Sequence, residues 1–314
     1  MRHVWRRRPQ TAIRKKLLFF LFLIFNVSIL QPEESKSQLK IITSVFPLQE
    51  FAKAVVGERG EAGLLLPPGA EIHTWKPRAS DIIKLSSADL FIYVGASLEP
   101  WLNDILSSIT NSHLRILEAS QGLSLISESG NEHEHKKKID DPHIWLDFEY
   151  DQMIVDRIEE VLSEIDPEGE SLFKKNAAIY KKKLQELDQK YREGFQNCLR
   201  RTFILGGHAA YAYIAERYSL NQISLYGLSP DSKPTPKHLV EVIELAKKYE
   251  IKVIYFESYI SDELAKVMAK EVGAKTLVLN SGANITKEQM KSGVTFLEIM
   301  KKNLENLKDG LVCN

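Results

Sequence analysis

The sequence lacks the short motifs that identify a metal or redox centre from spacing alone. Its 314 residues contain no HExxH and no CxxC, and only two cysteines, Cys198 and Cys313. After residue 37 the chain carries 34 basic and 40 acidic side chains, a net charge of −6. Nucleic acids and anionic lipid surfaces attract clustered Lys and Arg side chains. We therefore expect neither of them as a partner.

Long apolar runs are missing too, apart from one near the amino terminus. A basic stretch precedes the run LLFFLFLIFNVSIL at residues 17–30, an order typical of an export signal. The run is short for a membrane-spanning helix, and an uncleaved anchor is the alternative. Small residues at Ser35 and Ser37 favour cleavage before Gln38, and no cysteine follows the run to accept a lipid. We predict a signal peptide over residues 1–37 and a soluble periplasmic product.

Export also bears on the two cysteines, because thiols pair under oxidising conditions outside the cytoplasm. A disulfide between Cys198 and Cys313 and a pair of free thiols remain equal alternatives at this point. The bond would tie the end of the chain to the region that enters its second half.

Strands and helices alternate along the rest of the chain. In the first half LKIITSVFPL and GLLLPPG predict strands around the helix FAKAVVGERG, and Ser80 or Asp81 could cap a helix before the strand LFIYVG. In the second half helices alternate with the strands RTFILGG, QISLYG, IKVIYFES and AKTLVLN. Such alternation favours parallel sheets.

Two segments separate the halves. Residues 128–141 are polar and lack apolar periodicity, which predicts an exposed, mobile loop. From residue 170 to about residue 199 apolar side chains recur at helical intervals without a proline, which predicts one long helix. We therefore predict an α/β protein with two lobes, each a small parallel sheet flanked by helices. The expected bounds are 38–165 for the first lobe, 166–199 for the linking helix and 200–314 for the second lobe.

Three histidines occupy loops that such a fold would bring to one cleft. His73 lies in PPGAEIHTWKP after a strand, His143 lies in DDPHIWLD with Asp141 or Asp147 available to its second ring nitrogen, and His208 follows TFILGG directly. Ligands of open α/β sheets bind at the carboxyl ends of strands. Each histidine alone has an ordinary alternative: an exposed side chain, a ring packed beside tryptophan, or a residue at a helix start.

Other candidate ligands are fewer. Glu257 ends the strand in IYFES and is either a fourth, oxygen ligand or a solvated acid. His133 and His135 lie in the polar loop, where they could collect additional metal or be merely solvated.

Four segments together carry a family resemblance. PPGAEIHTWKPRASDIIKLSSADLFIYVG, DPHIWLD, GGHAAYAYIAERYSL and PDSKPTPKHLVEVIELAKK resemble the zinc-uptake, ZnuA/TroA-like (cluster A-I) solute-binding proteins, over nearly everything after Leu39. The resemblance implies two α/β lobes joined by one long rigid helix, with one metal ion in the cleft. It also implies delivery to a membrane permease driven by an ATPase. The metal histidines of the family fall on His73, His143 and His208.

The sequence departs from this family at a few positions. Trp75 and Lys76 replace the usual tyrosine and glutamate of the first motif, and Asn280 replaces the aspartate of manganese-type members. Glu257 or water is left as the fourth ligand. Three imidazoles suit zinc better than manganese, which prefers oxygen.

We therefore predict a monomeric, high-affinity zinc-binding protein of an ABC importer, without catalytic activity. The alternatives are a manganese or iron carrier of the same fold, an adhesin of that fold, or a zinc hydrolase with Glu257 as its base.

Overall fold

Four parallel strands form the first sheet. The computed structural model describes residues 1, 3, 38–129, 138–229, 234–257 and 262–314, so the rest of the predicted signal peptide and the pair His133 and His135 lie outside the described residues. Gln38–Asn314 form one compact unit. The strand order is β2-β1-β3-β4, with β1 at Leu39–Thr43, β2 at Gly60–Leu64, β3 at Leu90–Tyr93 and β4 at Arg115–Glu118. The flanking helices are α1 (Phe46–Val56), α2 (Ala79–Ser86) and α3 (Leu102–Ser108).

The segment between the sheets is mostly helical. It begins with a short antiparallel pair, β5 (Ser127–Ser129) and β6 (Lys138–Asp140), and continues into α4 (Phe148–Ile165) and α5 (Glu170–Gly194). The apolar side chains of α5 that are buried recur every three to four residues, at Phe173, Ala177, Tyr180, Leu184, Leu187 and Tyr191. Through this stripe α5 packs against α1, α4 and α10 (Phe296–Leu311), and it therefore contacts both halves of the chain.

The second sheet repeats the topology of the first. Its order is β10-β9-β7-β8, all parallel, with β7 at Thr202–Leu205, β8 at Asn221–Ser224, β9 at Val253–Phe256 and β10 at Lys275–Val278. The other helices are α6 (Ala212–Arg217), α7 (Pro236–Lys248), α8 (Glu263–Val272) and α9 (Lys287–Ser292). In each sheet the first and third strands in sequence are neighbours, which creates a switch point where ligands bind in open α/β folds. The predicted fold class is confirmed.

The two lobes share an apolar contact and a disulfide. The rings of Phe51 in α1 and Phe296 in α10 meet edge to face, with centroids 5.5 Å apart. Cys198, just after α5, is bonded to Cys313, just after α10, across 115 residues, so the disulfide alternative is the correct one. Within the described residues, no helix has both the length and the apolar character needed to cross a membrane. The domain bounds stated above remain predictions.

Two local predictions were wrong. The N-cap of α2 is Arg78, and Asp81 is the third helical residue, whose carboxylate accepts the backbone N–H of Arg78 at 2.8 Å. Ser80 and Asp81 therefore lie inside the helix. The polar segment 128–141 is not loop at its described ends, because residues 127–129 and 138–140 pair as strands.

Candidate metal centre

His73 lies on the long loop, residues 65–78, that connects β2 to α2. The prolines and glycine of this loop fix its backbone, and the N–H of Gly69 donates to the carbonyl of Ile285 in the second lobe at 2.9 Å. The His73 ring is partly buried, and its Nε2 atom is shielded from solvent without a hydrogen-bond partner among the described residues. A buried imidazole nitrogen without a partner is what a metal-binding site presents before it is loaded.

His143 follows β6 and is almost completely buried, with 1% of its surface exposed. Asp141 Oδ1 accepts the backbone N–H of His143 at 2.9 Å and lies 2.7 Å from its Nδ1. The carboxylate thus fixes the ring so that Nε2 is free to face the second lobe. Of the two aspartates considered from sequence, Asp141 is the partner of the ring. Asp147 caps α4 instead, accepting the N–H groups of Glu149 and Tyr150.

His208 is reached through two glycines after β7. A Cβ atom on Gly206 would lie 2.5 Å from the Cβ of Ala265, and one on Gly207 would lie 2.9 Å from Oε1 of Glu257. Glycine is therefore required here for close approach. Because β7 and β9 are neighbours, Glu257 at the end of β9 comes beside His208, with Oε1 2.5 Å from Nδ1. The contact pairs a buried carboxylate with the buried imidazole.

The three imidazoles converge on one point. One ring nitrogen from each of His73, His143 and His208 lies within 4.8 Å of the other two, and the Nε2 atoms of His143 and His208 are 3.2 Å apart. Ring centroids are separated by 5.1 to 5.5 Å. A tetrahedral zinc site with Zn–N distances of about 2.0–2.1 Å has N···N edges of about 3.3–3.4 Å. The His143–His208 edge matches this geometry closely.

The space between the rings is small. A cavity of about 20 Å³ is lined by the three histidines and Glu257, together with Ala70, Glu71, Ile72, Ser281, Ala283 and Asn284. Such a volume holds one water-sized particle. A second cavity of about 490 Å³, lined by Trp75 and Trp101, also borders His73.

Burial and nearby charges shift the pKa values of the imidazole rings in different directions. Burial lowers the pKa of His73 to about 2, with help from the neighbouring rings of His143 and His208. Burial also acts to lower the pKa of His208, but the carboxylates of Glu257, Glu71 and Asp141, with Glu257 the largest contributor, together outweigh it and the pKa is raised. Burial raises the pKa of the Glu71 carboxyl, and the positive form of His208 opposes that shift. His73 therefore offers a neutral nitrogen to a metal at any ordinary pH.

Glu257 and Asn280 differ in their position relative to the cavity. Glu257 is 4% exposed, so it is not the solvated acid of the alternative interpretation, and its role as a ligand stays a prediction. Asn280 is not among the residues that line the cavity, and its Oδ1 accepts the backbone N–H of Gly282 at 2.8 Å. Sequence reasoning missed Glu71 and Asn284. Glu71, a carboxylate two residues before His73, could have been noticed from that proximity.

Two α/β lobes with a closed cluster of three imidazoles between them define a metal-binding protein of the bilobed solute-binding class. Residues 41–310 match the model of the ZnuA family, described as zinc-uptake complex component A periplasmic. The chain belongs to this family, and the resemblance seen in the sequence is confirmed.

Named relatives agree with this placement. The chain is 36% identical to the high-affinity zinc uptake system protein ZnuA of Bacillus subtilis, over 88% of each chain. It is 35% identical, over 94% of its length, to the zinc-binding protein AdcA of Streptococcus pyogenes serotype M18, but it spans only 61% of that relative. The crystal structure of the Zn(II)-bound ZnuA-like domain of Streptococcus pneumoniae AdcA superposes with a TM-score of 0.74 at 35% identity, covering 87% of this chain and 99% of that domain.

Proposed function

We propose that this protein binds one Zn²⁺ ion outside the cytoplasm and delivers it to the permease of an ATPase-driven importer. The observation that carries the proposal is the convergence of three imidazoles, the partly buried His73 and the buried His143 and His208, on a cavity that fits a single ion. Family membership and the zinc-uptake names of the relatives support the same function. Residues 1–37 are proposed to direct export.

The donor set favours zinc over manganese. Three imidazole nitrogens make a low-coordination, nitrogen-rich site, whereas Mn²⁺ is better served by oxygen ligands. Asp141 and Glu257 contact the outer Nδ1 atoms of His143 and His208. Two carboxylates so placed orient the rings and balance the charge of a divalent ion. We keep Glu257 in the proposed site because it orients His208 and balances the charge of the ion. To ligate the metal itself through Oε1, its side chain would have to turn away from His208.

Binding without catalysis is proposed as well. A hydrolase needs an open coordination position and room for a substrate beside the metal. The cavity of about 20 Å³ holds one particle of the size of water. This volume supports a carrier site, from which the ion is passed on unchanged.

The test is a titration of the protein with zinc by calorimetry, together with the variant His208→Ala. Loss of one of three imidazole ligands should weaken zinc binding by at least about a hundredfold, since even loss of a partner of a ligand costs 10- to 100-fold. The matched control is His238→Ala, because His238 is 45% exposed on α7. Equal zinc affinity in His208→Ala and wild-type protein would refute the three-histidine site. Stronger retention of Mn²⁺ than of Zn²⁺ would favour the manganese carrier.

A further inference from the structure

One short segment of the second lobe lies across the cleft. Residues 281–285, here called the crossing segment, connect β10 to α9. The carbonyl of Ser281 accepts the indole N–H of Trp145 at 2.7 Å, and the carbonyl of Ala283 accepts the N–H of Phe46 at 3.0 Å. Both donors belong to the first lobe. The crossing segment is thus hydrogen-bonded to the first lobe near His143 and near the start of α1.

Asn284 makes the contact nearest to His73. Its Nδ2 donates to the carbonyl of Pro67 at 2.8 Å and to the carbonyl of Ala70 at 2.7 Å. Its Oδ1 accepts the backbone N–H of Ile285 at 2.8 Å. The side chain is 2% exposed and lines the metal cavity.

The chemistry of this contact requires an amide. A carboxamide NH₂ group has two donors, and here each is directed to a carbonyl of the loop that carries His73. A carboxylate has the same shape but no donor, and it would face two carbonyl oxygens. The amide oxygen accepts the N–H of Ile285 in the crossing segment, so the side chain connects this segment to the His73 loop.

We propose that Asn284 is a positioning residue that latches the His73 loop over the cavity and sets the rate at which zinc leaves. The inference rests on the proposed function. The cavity wall consists of residues 70–73 of this loop on one side and of Ser281, Ala283 and Asn284 on the other. An ion that leaves between the His73 loop and the crossing segment requires these two stretches to part. Parting them at the His73 loop breaks both amide hydrogen bonds.

The experiment measures zinc release after mixing zinc-loaded protein with excess chelator. Asn284→Ala removes both donors and cannot ligate the metal. The variant should release zinc about ten- to a hundredfold faster, as expected for the loss of two buried hydrogen bonds. The control is Asn306→Ala, because Asn306 Nδ2 donates to the carbonyl of Val278 within the second lobe at 2.7 Å.

The outcomes separate the latch from the metal site. Wild-type protein that fails to bind zinc would refute the proposed function, whereas wild-type binding with unchanged release in Asn284→Ala would refute only the latch. Equal acceleration in Asn306→Ala would also overturn the latch, because it would indicate general softening of the second lobe. With Co²⁺ in the site, Asn284→Ala should keep the absorption spectrum of wild-type protein. A changed spectrum would mean that Asn284 acts on the coordination itself and would overturn the proposal.

Discussion

His73 and His208 face the same cavity with opposite tendencies toward protonation. The pKa of His73 is lowered to about 2, chiefly by burial, whereas that of His208 is raised because the nearby carboxylates, Glu257 foremost, together outweigh burial. A metal binds only the neutral form of imidazole. A metal ion that enters the cavity therefore competes with a proton at His208 and not at His73.

Zinc affinity should consequently depend on pH through His208. Below its raised pKa, His208 holds a proton that zinc must displace, so affinity falls as the pH drops through that value and is independent of pH well above it. His73 contributes no such dependence in the same range. Calorimetry at several pH values, in buffers of different ionisation enthalpy, measures both the affinity and the released proton.

The control for this dependence is Glu257→Gln, which removes the charge that raises the pKa of His208. The fall in affinity should then begin at a lower pH, although affinity at neutral pH is also expected to drop by about 10- to 100-fold. An unchanged pH profile in Glu257→Gln would show that Glu257 does not set the protonation of His208.

At the scale of single residues, sequence reasoning succeeds where a signal is local. The histidines stand in loops after predicted strands, and Asp141 lies two residues from His143, so these candidates can be found by inspection. Asn284 has no such signal, because the carbonyl it holds at Pro67 is 217 residues away in sequence. A hydrogen bond to a distant backbone carbonyl does not depend on the type of residue that carries the carbonyl, so the sequence around neither partner reveals it.

Among the helices, α4, α5 and α6 are joined by one arginine. Arg217 at the end of α6 bonds Asp188 of α5 through Nε and Nη2 at 2.8 and 3.1 Å. Its Nη1 contacts Asp147, the N-cap of α4, at 3.1 Å and Glu149 at 3.0 Å. The arginine side chain is only 11% exposed. These contacts connect the helix that follows His208 to the helix that follows His143.

Removal of this arginine should destabilise the protein. Arg217→Gln leaves Asp147 and Asp188 partly buried without their main counter-charge, which we expect to lower the free energy of unfolding by about 2–4 kcal/mol. The control is Arg192→Gln, because Arg192 also bonds Asp188, at 3.0 Å, but is 47% exposed. The control should cost less than about 1 kcal/mol. Urea denaturation measures both, and equal losses would contradict a special role for Arg217.

The local sequence predicts the type of a helix or strand better than the residue at which it begins. The apolar run of β3 and the apolar stripe of α5 were predicted correctly, because burial follows their periodicity. The residue types of AAYAYIAERY at residues 209–218 favour a helix over the whole segment, but α6 begins only at Ala212. The N–H of Ala209 instead donates to the carbonyl of Gly227, and that of Tyr211 donates to Oε1 of Gln222. These tertiary partners satisfy backbone N–H groups just before the helix and fix the path of the chain there, which the local sequence does not show.

For the whole molecule, the alternation of strands and helices predicts two sheets but not how they face each other. The cleft was predicted from two α/β lobes joined by a helix, and the family resemblance then assigned the three histidines to one metal site, since separations of 65 and more residues carry no geometry. The structure adds the physical reasons: α5 packs on helices of both lobes, and the rings of Phe51 and Phe296 meet between them. The metal centre therefore depends on contacts far from its ligands.

The disulfide is the covalent counterpart of these contacts, and its removal should lower stability without abolishing the metal site. Cys198 and Cys313 close a loop of 115 residues that contains the whole second sheet. Because a loop of that size restricts the unfolded chain, the bond should stabilise the folded state by about 4–5 kcal/mol. Removal of a native disulfide typically lowers the free energy of unfolding by about 2–5 kcal/mol. The double variant Cys198→Ser with Cys313→Ser should lose stability in that range under urea.

Reduced wild-type protein should unfold at the same urea concentration as the double variant, because both lack the bond and neither cysteine lines the metal cavity. Zinc should still raise the stability of the variant, since a ligand that binds only the folded state stabilises by mass action. A variant as stable as oxidised wild-type protein would show that α5 and α10 are held together by packing alone. A folded variant without zinc binding would instead show that the disulfide fixes the position of His208 relative to the first lobe.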